Sequence, residues 1–331
     1  MGDPDSAGSA DVAEILRSHA GASLVAGGRA GPFRLRRLDV GSQTSERYQL
    51  VWQDRSRAFV KRYSQPDVDV TREADALVAL QKVLHGRFAA PGPILALAEQ
   101  RILVTEWIDG VTLMRQLHWG LLRVNPLAAP RVTALAISAA TMLTAMRHVE
   151  TARLSETTAS ERYRRDFEHR YALLATMNLE PQALAAIHDA MHTAIALTDR
   201  APLAFQHSDF APWNLLAGGQ RLWVVDLHNA TAGHPCYDAA YFRAALDLFY
   251  RQRFVSHGRS NRVSAAFVAA SRDYGDREWQ KAESAFAMAH MAYLAHVVMS
   301  AEGSGATLGA RSLGLFIRAW YKRELRHYQD L

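Results

Sequence analysis

The feature of this sequence that most limits its fold is a change of texture about a third of the way along its 331 residues. Segments 33–40, 45–53 and 57–63 have strand character, with turn signals at Gly41-Ser42 and Asp54-Arg55-Ser56, and predict a meander of three antiparallel strands. Thr71 then opens a stretch in which Ala74, Leu77, Val78, Leu80 and Leu84 recur at helical spacing. Gly86 and the Ala90-Pro91-Gly92-Pro93 cluster end it, and segments 94–97 and 101–107 predict two more strands. After Asp109-Gly110 the pattern turns helical: 128–149, 160–177 and 181–197 are long, alanine- and leucine-rich and amphipathic. Short apolar strands and loops interrupt this only between 203 and 230. The expectation is an α+β chain of two lobes with a ligand cleft between them. Its parts would be a tail and helix over 1–32, a β-rich N-lobe over 33–107 and a mainly helical C-lobe over 108–331.

Composition excludes several classes. Hydrophobic residues make up 49% and charged residues 21%, the balance of a water-soluble globular chain. The single cysteine, Cys236, excludes an internal disulfide and a cysteine-built metal site, which fits a reducing, cytoplasmic setting. The first 13 residues are acidic and small, unlike a secretory signal, and no apolar run reaches the length of a membrane span. Met1-Gly2-Asp3-Pro4-Asp5-Ser6 meets the bare pattern for N-myristoylation, yet its middle residues are acidic and rigid, so a frayed tail is expected. The formal net charge is +5, and residues 227–331 carry 13 Lys and Arg against 9 Asp and Glu. No basic run with interleaved aromatics marks a nucleic-acid partner. The excess reads as a solvated surface, or as a lure for an anionic substrate or a peripheral anionic membrane surface. Arg243, Arg251 and Arg253 belong to that excess and are compatible with either role.

The most informative segment is Phe205-Gln206-His207-Ser208-Asp209-Phe210-Ala211-Pro212-Trp213-Asn214-Leu215-Leu216. It places a carboxylate two residues after a histidine, and a carboxamide five residues after that carboxylate. Twelve residues beyond Asn214, the apolar strand Leu222-Trp223-Val224-Val225 delivers Asp226. Phosphoryl transfer needs this set: an Asp to orient an acceptor hydroxyl and take its proton, and oxygen ligands for a hard Mg²⁺. Pro212 and Trp213 would stiffen the loop. Upstream, Ala58-Phe59-Val60-Lys61-Arg62-Tyr63 puts a lysine on the third strand, and Glu73 lies in the first turn of the next helix. A strand lysine held by a helix glutamate is how kinases position ATP phosphates.

In order and spacing these motifs resemble the aminoglycoside phosphotransferase and choline kinase-like family, small-molecule kinases with a two-lobed protein-kinase-like fold. The resemblance runs from about 33 to 250. Segment 39–50, with Gly41, Ser42 and Ser45, resembles the family's nucleotide loop, although it has one glycine in place of a glycine-rich run. Ile102-Leu103-Val104-Thr105-Glu106-Trp107-Ile108-Asp109-Gly110 resembles its hinge, which implies adenine contacts at Glu106, Trp107 and Ile108. Gly233-His234-Pro235-Cys236-Tyr237-Asp238 resembles the segment after the metal aspartate. The resemblance implies Asp209 as catalytic base, Asn214 and Asp226 as magnesium ligands, and Lys61 on phosphates with Glu73 as its partner. It also implies that His207 scaffolds the loop and Asp238 braces it. ATP and Mg²⁺ are the expected cofactors, and a small-molecule or glycan hydroxyl, neutral or anionic, is the expected acceptor. Leu227-His228 after Asp226, and the lack of an Ala-Pro-Glu segment, argue against a protein kinase.

Two rivals remain at this level. A metal-dependent hydrolase would use His207, Asp209, Asp226, His228 and His234, but it leaves Lys61 and Glu73 unexplained. A catalytically inactive nucleotide-binding pseudokinase would lack the base or a metal ligand, and all three residues are present. Tyr241, Phe242, Phe249 and Tyr250 read as helix-packing core or as an acceptor pocket lining, and the sequon Asn229-Ala230-Thr231 reads as coincidence.

Overall fold

The structure, a computed structural model, describes residues 4–19, 32–38, 44–122, 128–151, 158–177, 179–251, 257–271, 277–301 and 308–331. The chain is α+β, β-rich in its first part and mainly helical afterwards. It divides into two compact units, residues 1–110 with 216–228, and residues 111–215 with 229–331. The segment bearing Asp226 thus groups with the first unit, whereas the sequence reading placed it in the C-lobe.

The first unit opens with helix α1 (Pro4–His19), within the segment 1–32 read as a tail and helix. Strands β1 (Phe33–Arg37), β2 (Ser45–Trp52) and β3 (Arg57–Tyr63) form the expected antiparallel meander. Helix α2 (Val70–Val83) follows, then β4 (Phe88–Ala89), β5 (Pro93–Leu97) and β6 (Ile102–Glu106). The main sheet has the order β1-β2-β3-β6-β5. Tyr48, Leu50 and Trp52 alternate along β2, and their buried face packs with Val60, Ile102 and Val104 under Val12 and Leu16 of α1. Burial of that apolar face ties α1 to the sheet.

Helix α2 starts where Asp69 caps it, accepting from the backbone N–H groups of Thr71 (2.9 Å) and Arg72 (3.1 Å). Its buried stripe is Val70, Glu73, Ala76, Leu77 and Leu80, while Val78 is 40% exposed. The apolar periodicity pointed to the wrong edge of this helix, because the inward face includes a carboxylate. Gly86, at φ 65°, adopts the left-handed conformation after the helix, which a side chain disfavours.

In the second unit, β7 (Val111–Thr112) leads into α3 (Leu113–Leu122), α4 (Ala128–Met146), α5 (Ala159–Ala175) and α6 (Pro181–Thr198). Strand β8 (Ala204–Gln206) comes next. In the first unit, β9 (Leu215–Gly218) and β10 (Arg221–Val224) share a sheet with β4, which pairs parallel to β10. Strand β11 (Thr231–Gly233) pairs antiparallel with β8, and α7 (Tyr237–Arg251), α8 (His257–Ser271), α9 (Arg277–Ala301) and α10 (Leu308–Asp330) complete the chain. No helix among the described residues is long and apolar enough to cross a membrane.

The core of this unit is largely α9 packed against α5, α6, α7 and α10, around Phe286, Met288, Tyr163 and Trp320. An ion network crosses it. The Arg243 guanidinium donates to both oxygens of Glu324 (2.6 and 3.0 Å), and its Nε lies 3.1 Å from Glu283. Ser284 donates to Glu324 at 2.7 Å. The Glu324 carboxyl is lowered although burial opposes this, because Arg243 lies beside it. Arg243 therefore faces the core and not solvent. The side chain of Arg251, and Arg253 altogether, lie outside the described residues. Arg243→Ala leaves two buried carboxylates without their cation and is expected to cost about 3–5 kcal/mol. Urea unfolding checks this; a loss below about 1 kcal/mol would mean that the network behaves like a surface ion pair.

Candidate active site

The loop between β8 and β9 carries the histidine, aspartate and asparagine of the central motif. Its shape is set by a carboxylate in the first turn of α7. Asp238, 2% exposed, accepts hydrogen bonds from the backbone N–H of His207 (2.6 Å) and of Ser208 (2.9 Å). This double grip accompanies Ser208 at φ 69°, a left-handed conformation costly for a residue with a side chain. His207 is fully buried, and its Nδ1 accepts the Asp209 N–H at 3.3 Å, so its imidazole is committed to the loop.

The Asp209 carboxylate has two polar neighbours. The Asn214 amide donates to Oδ2 of Asp209 (2.8 Å) and to its carbonyl (2.9 Å). With its nitrogen so used, Asn214 turns its amide oxygen away from these bonds, leaving a hard donor suited to a hard cation. The second neighbour is Tyr241 of α7, whose hydroxyl is pushed well above the usual tyrosine range by burial and by the nearby Asp209 charge. Its ring is buried and meets Trp213 edge-on at 6.3 Å between centroids. The sequence reading placed Tyr241 with the packing aromatics. It does pack there, but its hydroxyl also lies near the proposed base. The available signal was its position three residues after Asp238, which puts both on one helix face.

Beneath this loop, Gln206 accepts from the Tyr163 hydroxyl and from Arg162 (3.3 Å), and Tyr163 accepts the His234 N–H at 2.8 Å. Gly233 has to be glycine here, since a Cβ would lie 1.7 Å from the Gln206 amide oxygen. His234 is pushed down to about 4 by burial and by Arg147, so it is a neutral ring beside Cys236, whose Sγ is 2.9 Å from its Nδ1.

In the first unit, Asp226 follows β10 at φ 68°, a second non-glycine residue in the left-handed region. Lys61 of β3 is ion-paired with its Oδ1, His228 Nδ1 lies 2.7 Å from the same oxygen, and Arg47 of β2 lies 3.6 Å from Oδ2. Burial opposes ionisation of Asp226, but Lys61 and His228 outweigh it and hold the carboxyl well below the usual range.

The expected pairing of Lys61 with Glu73 is not what the structure contains. Glu73 accepts from the Tyr63 hydroxyl and from the Leu227 backbone N–H (3.0 Å), so it braces the residue after Asp226. Lys61 instead lies 4.3 Å from the Tyr63 ring centroid and pairs with Asp226. The inward stripe of α2 explains this: Glu73 is buried at 3%, where a hydroxyl and a backbone N–H satisfy it.

Of the remaining candidates, Ser45 is buried at the start of β2, and Gly41 and Ser42 lie outside the described residues. Glu106 ends β6, where its carboxylate and its N–H bond the Gly92 N–H and carbonyl, each at 2.9 Å. Trp107 donates to Asp109 at 3.0 Å, and the Ile108 carbonyl accepts from the Gly110 N–H. Of the hydrolase residues, His228 pairs with Asp226 and His207 accepts the Asp209 N–H, but no group of three or more potential metal ligands occurs among the described residues.

Burial pushes the Asp238 carboxyl up to about 6, against the pull of His207 and the two backbone donors. A raised value means that the stabilising contribution is complete below the ordinary value of 3.8 and is lost as pH rises through about 6. The stability of the wild type relative to Asp238→Asn should therefore grow as pH falls from about 7 to about 5. Thermal unfolding across that range checks this, and a pH-independent difference would contradict it.

Solved structures similar in fold include a choline/ethanolamine kinase family protein from Mesorhizobium loti, at 14% identity and TM-score 0.58, covering 96% of each chain. A choline kinase from Cryptosporidium parvum Iowa II gives 12% identity and TM-score 0.58, also over 96% of each chain. An amicoumacin kinase in complex with AMP-PNP, Ca²⁺ and Ami gives 12% identity and TM-score 0.56, over 95% of this chain and 96% of that one. At such identities the likeness is one of fold. No curated protein sequence matches the chain. The model of the phosphotransferase enzyme family (APH) matches residues 35–283, which span Lys61, the loop 207–214, Asp226 and Asp238, and the chain belongs to that family.

Proposed function

We propose that this phosphotransferase moves the γ-phosphoryl group of Mg·ATP to a hydroxyl of a small molecule or glycan. The observation that carries the reading is the placement of Asp209: a carboxylate on a braced loop, oriented by the Asn214 amide. A general base for phosphoryl transfer has to be placed before the reaction, because positioning and charge stabilisation are most of the catalysis. Asp209 would accept the hydrogen bond of the acceptor hydroxyl and take its proton as the bond to phosphorus forms. Asn214 and Asp226 would each offer magnesium an oxygen, and the metal would neutralise charge on the phosphates. The strongly ionised state of Asp226 fits such a ligand. Lys61 would bind phosphate, and the backbone of 106–108 would meet adenine. The AMP-PNP bound to the amicoumacin kinase, a protein of the same fold, supports the nucleotide.

The basic excess of the last third gives less support to an anionic acceptor than composition suggested, since Arg243 is neutralised inside the fold. The acceptor is accordingly defined by its hydroxyl. His207 and Asp238 act through the loop and would not touch substrate.

ATP consumption with Mg²⁺ against a panel of amino alcohols, aminoglycosides, macrolides and sugars tests the reading. Asp209→Ala should lower turnover about 10³-fold or more while leaving nucleotide affinity within a few-fold. Undiminished turnover in that variant would remove Asp209 from the chemistry. Tyr241→Phe should lower kcat about 10-fold or less with KM little changed, because a hydroxyl beside Asp209 is lost. A rise in KM at constant kcat would instead place Tyr241 in acceptor binding.

A further inference from the structure

Arg47 is a cation to which the resemblance assigned no role. The pairing of β2 with β3 puts it directly opposite Lys61, and opposed residues of an antiparallel pair project from the same face. The neighbouring pair, Tyr48 opposite Val60, points the other way into the core with α1. Two long cationic side chains thus leave one face side by side and converge on opposite oxygens of Asp226.

Their satisfaction differs. Lys61 makes a close ion pair. The Arg47 contact, at 3.6 Å, is longer than a hydrogen bond, and its buried Nε has no hydrogen-bond partner among the described residues. A guanidinium presents five donors in a planar fork, and leaving them unused at a partly buried position is costly. The acceptors that suit such a fork are the paired oxygens of phosphates. The sequence adds a second reason: the segment leading into β2 holds a single glycine, Gly41, and so has few positions where backbone approaches phosphate without a side chain between.

We infer that Arg47 is a second phosphate-binding cation, acting beside Lys61 on the polyphosphate of the nucleotide. The inference rests on the nucleotide reading above and adds to it a role for a residue to which the resemblance assigned none. With Mg·ATP bound, Asp226 would offer an oxygen to the metal, and Lys61 and Arg47, which pair with its two oxygens, would hold the phosphates. Arg47 contributes to polyphosphate affinity and not to adenosine affinity.

The test is equilibrium binding of Mg·AMP-PNP and of adenosine to the full chain, for wild type, Arg47→Gln and Arg47→Lys, with folding confirmed by thermal midpoint. Arg47→Gln should weaken Mg·AMP-PNP about 10- to 100-fold and leave adenosine unchanged. Arg47→Lys should recover part of the loss, and it serves as the test should the glutamine variant not fold. Unchanged Mg·AMP-PNP affinity in the folded variants overturns the inference, as does an equal loss for both ligands. Failure of the wild type to bind either ligand overturns the nucleotide reading and this inference with it.

Discussion

A buried carboxylate that accepts two consecutive backbone N–H groups is a strong local constraint, because neither the charge nor the donors can be left unsatisfied away from water. Asp238 imposes that constraint on His207 and Ser208. The geometry of the loop follows from it: Ser208 in a left-handed conformation, the His207 ring turned back onto the Asp209 N–H, and the Asn214 amide closing on the Asp209 carboxylate. Helix α7 thus supports the loop by gripping its backbone with Asp238.

The same economy of buried polar groups organises the first unit. Glu73 is turned inward on α2 and satisfied by Tyr63 and by the chain just beyond Asp226. Lys61 and Arg47 converge on Asp226, which stays ionised despite its burial. A carboxylate surrounded by cations is a position where a divalent metal and phosphates can take over from protein partners without a change in the balance of charge.

Several of these features were legible in the sequence and others were not, for identifiable reasons. The change from strands to helices, the meander and the strand carrying Lys61 are local patterns of period two and 3.6, and they appear with boundaries shifted by few residues. The motif around Asp209 was legible because spacing along one loop carries its own geometry. The Lys61–Glu73 pairing was misread because it depends on which face of α2 turns inward, and apolar spacing alone put the stripe one edge away. Tyr241 looked like core because an aromatic at helical spacing gives no hint of what its hydroxyl meets. Arg243 was counted as surface charge because the carboxylates that bury it, Glu283 and Glu324, lie on helices 40 and 81 residues away. Helix α1 lies within the segment read as a tail and helix, and Val12, Ile15 and Leu16 register its packing on the sheet.

The most direct measurement of the central claim is transfer of the label from γ-labelled ATP. The purified protein is incubated with Mg²⁺ and the panel of hydroxyl-bearing acceptors, and the products are separated. The account predicts label in one organic phosphomonoester, stable to acid where an acyl phosphate would not be, and dependent on the acceptor supplied. Label found only in inorganic phosphate, or on the protein itself, would contradict a phosphotransferase acting on a non-protein hydroxyl.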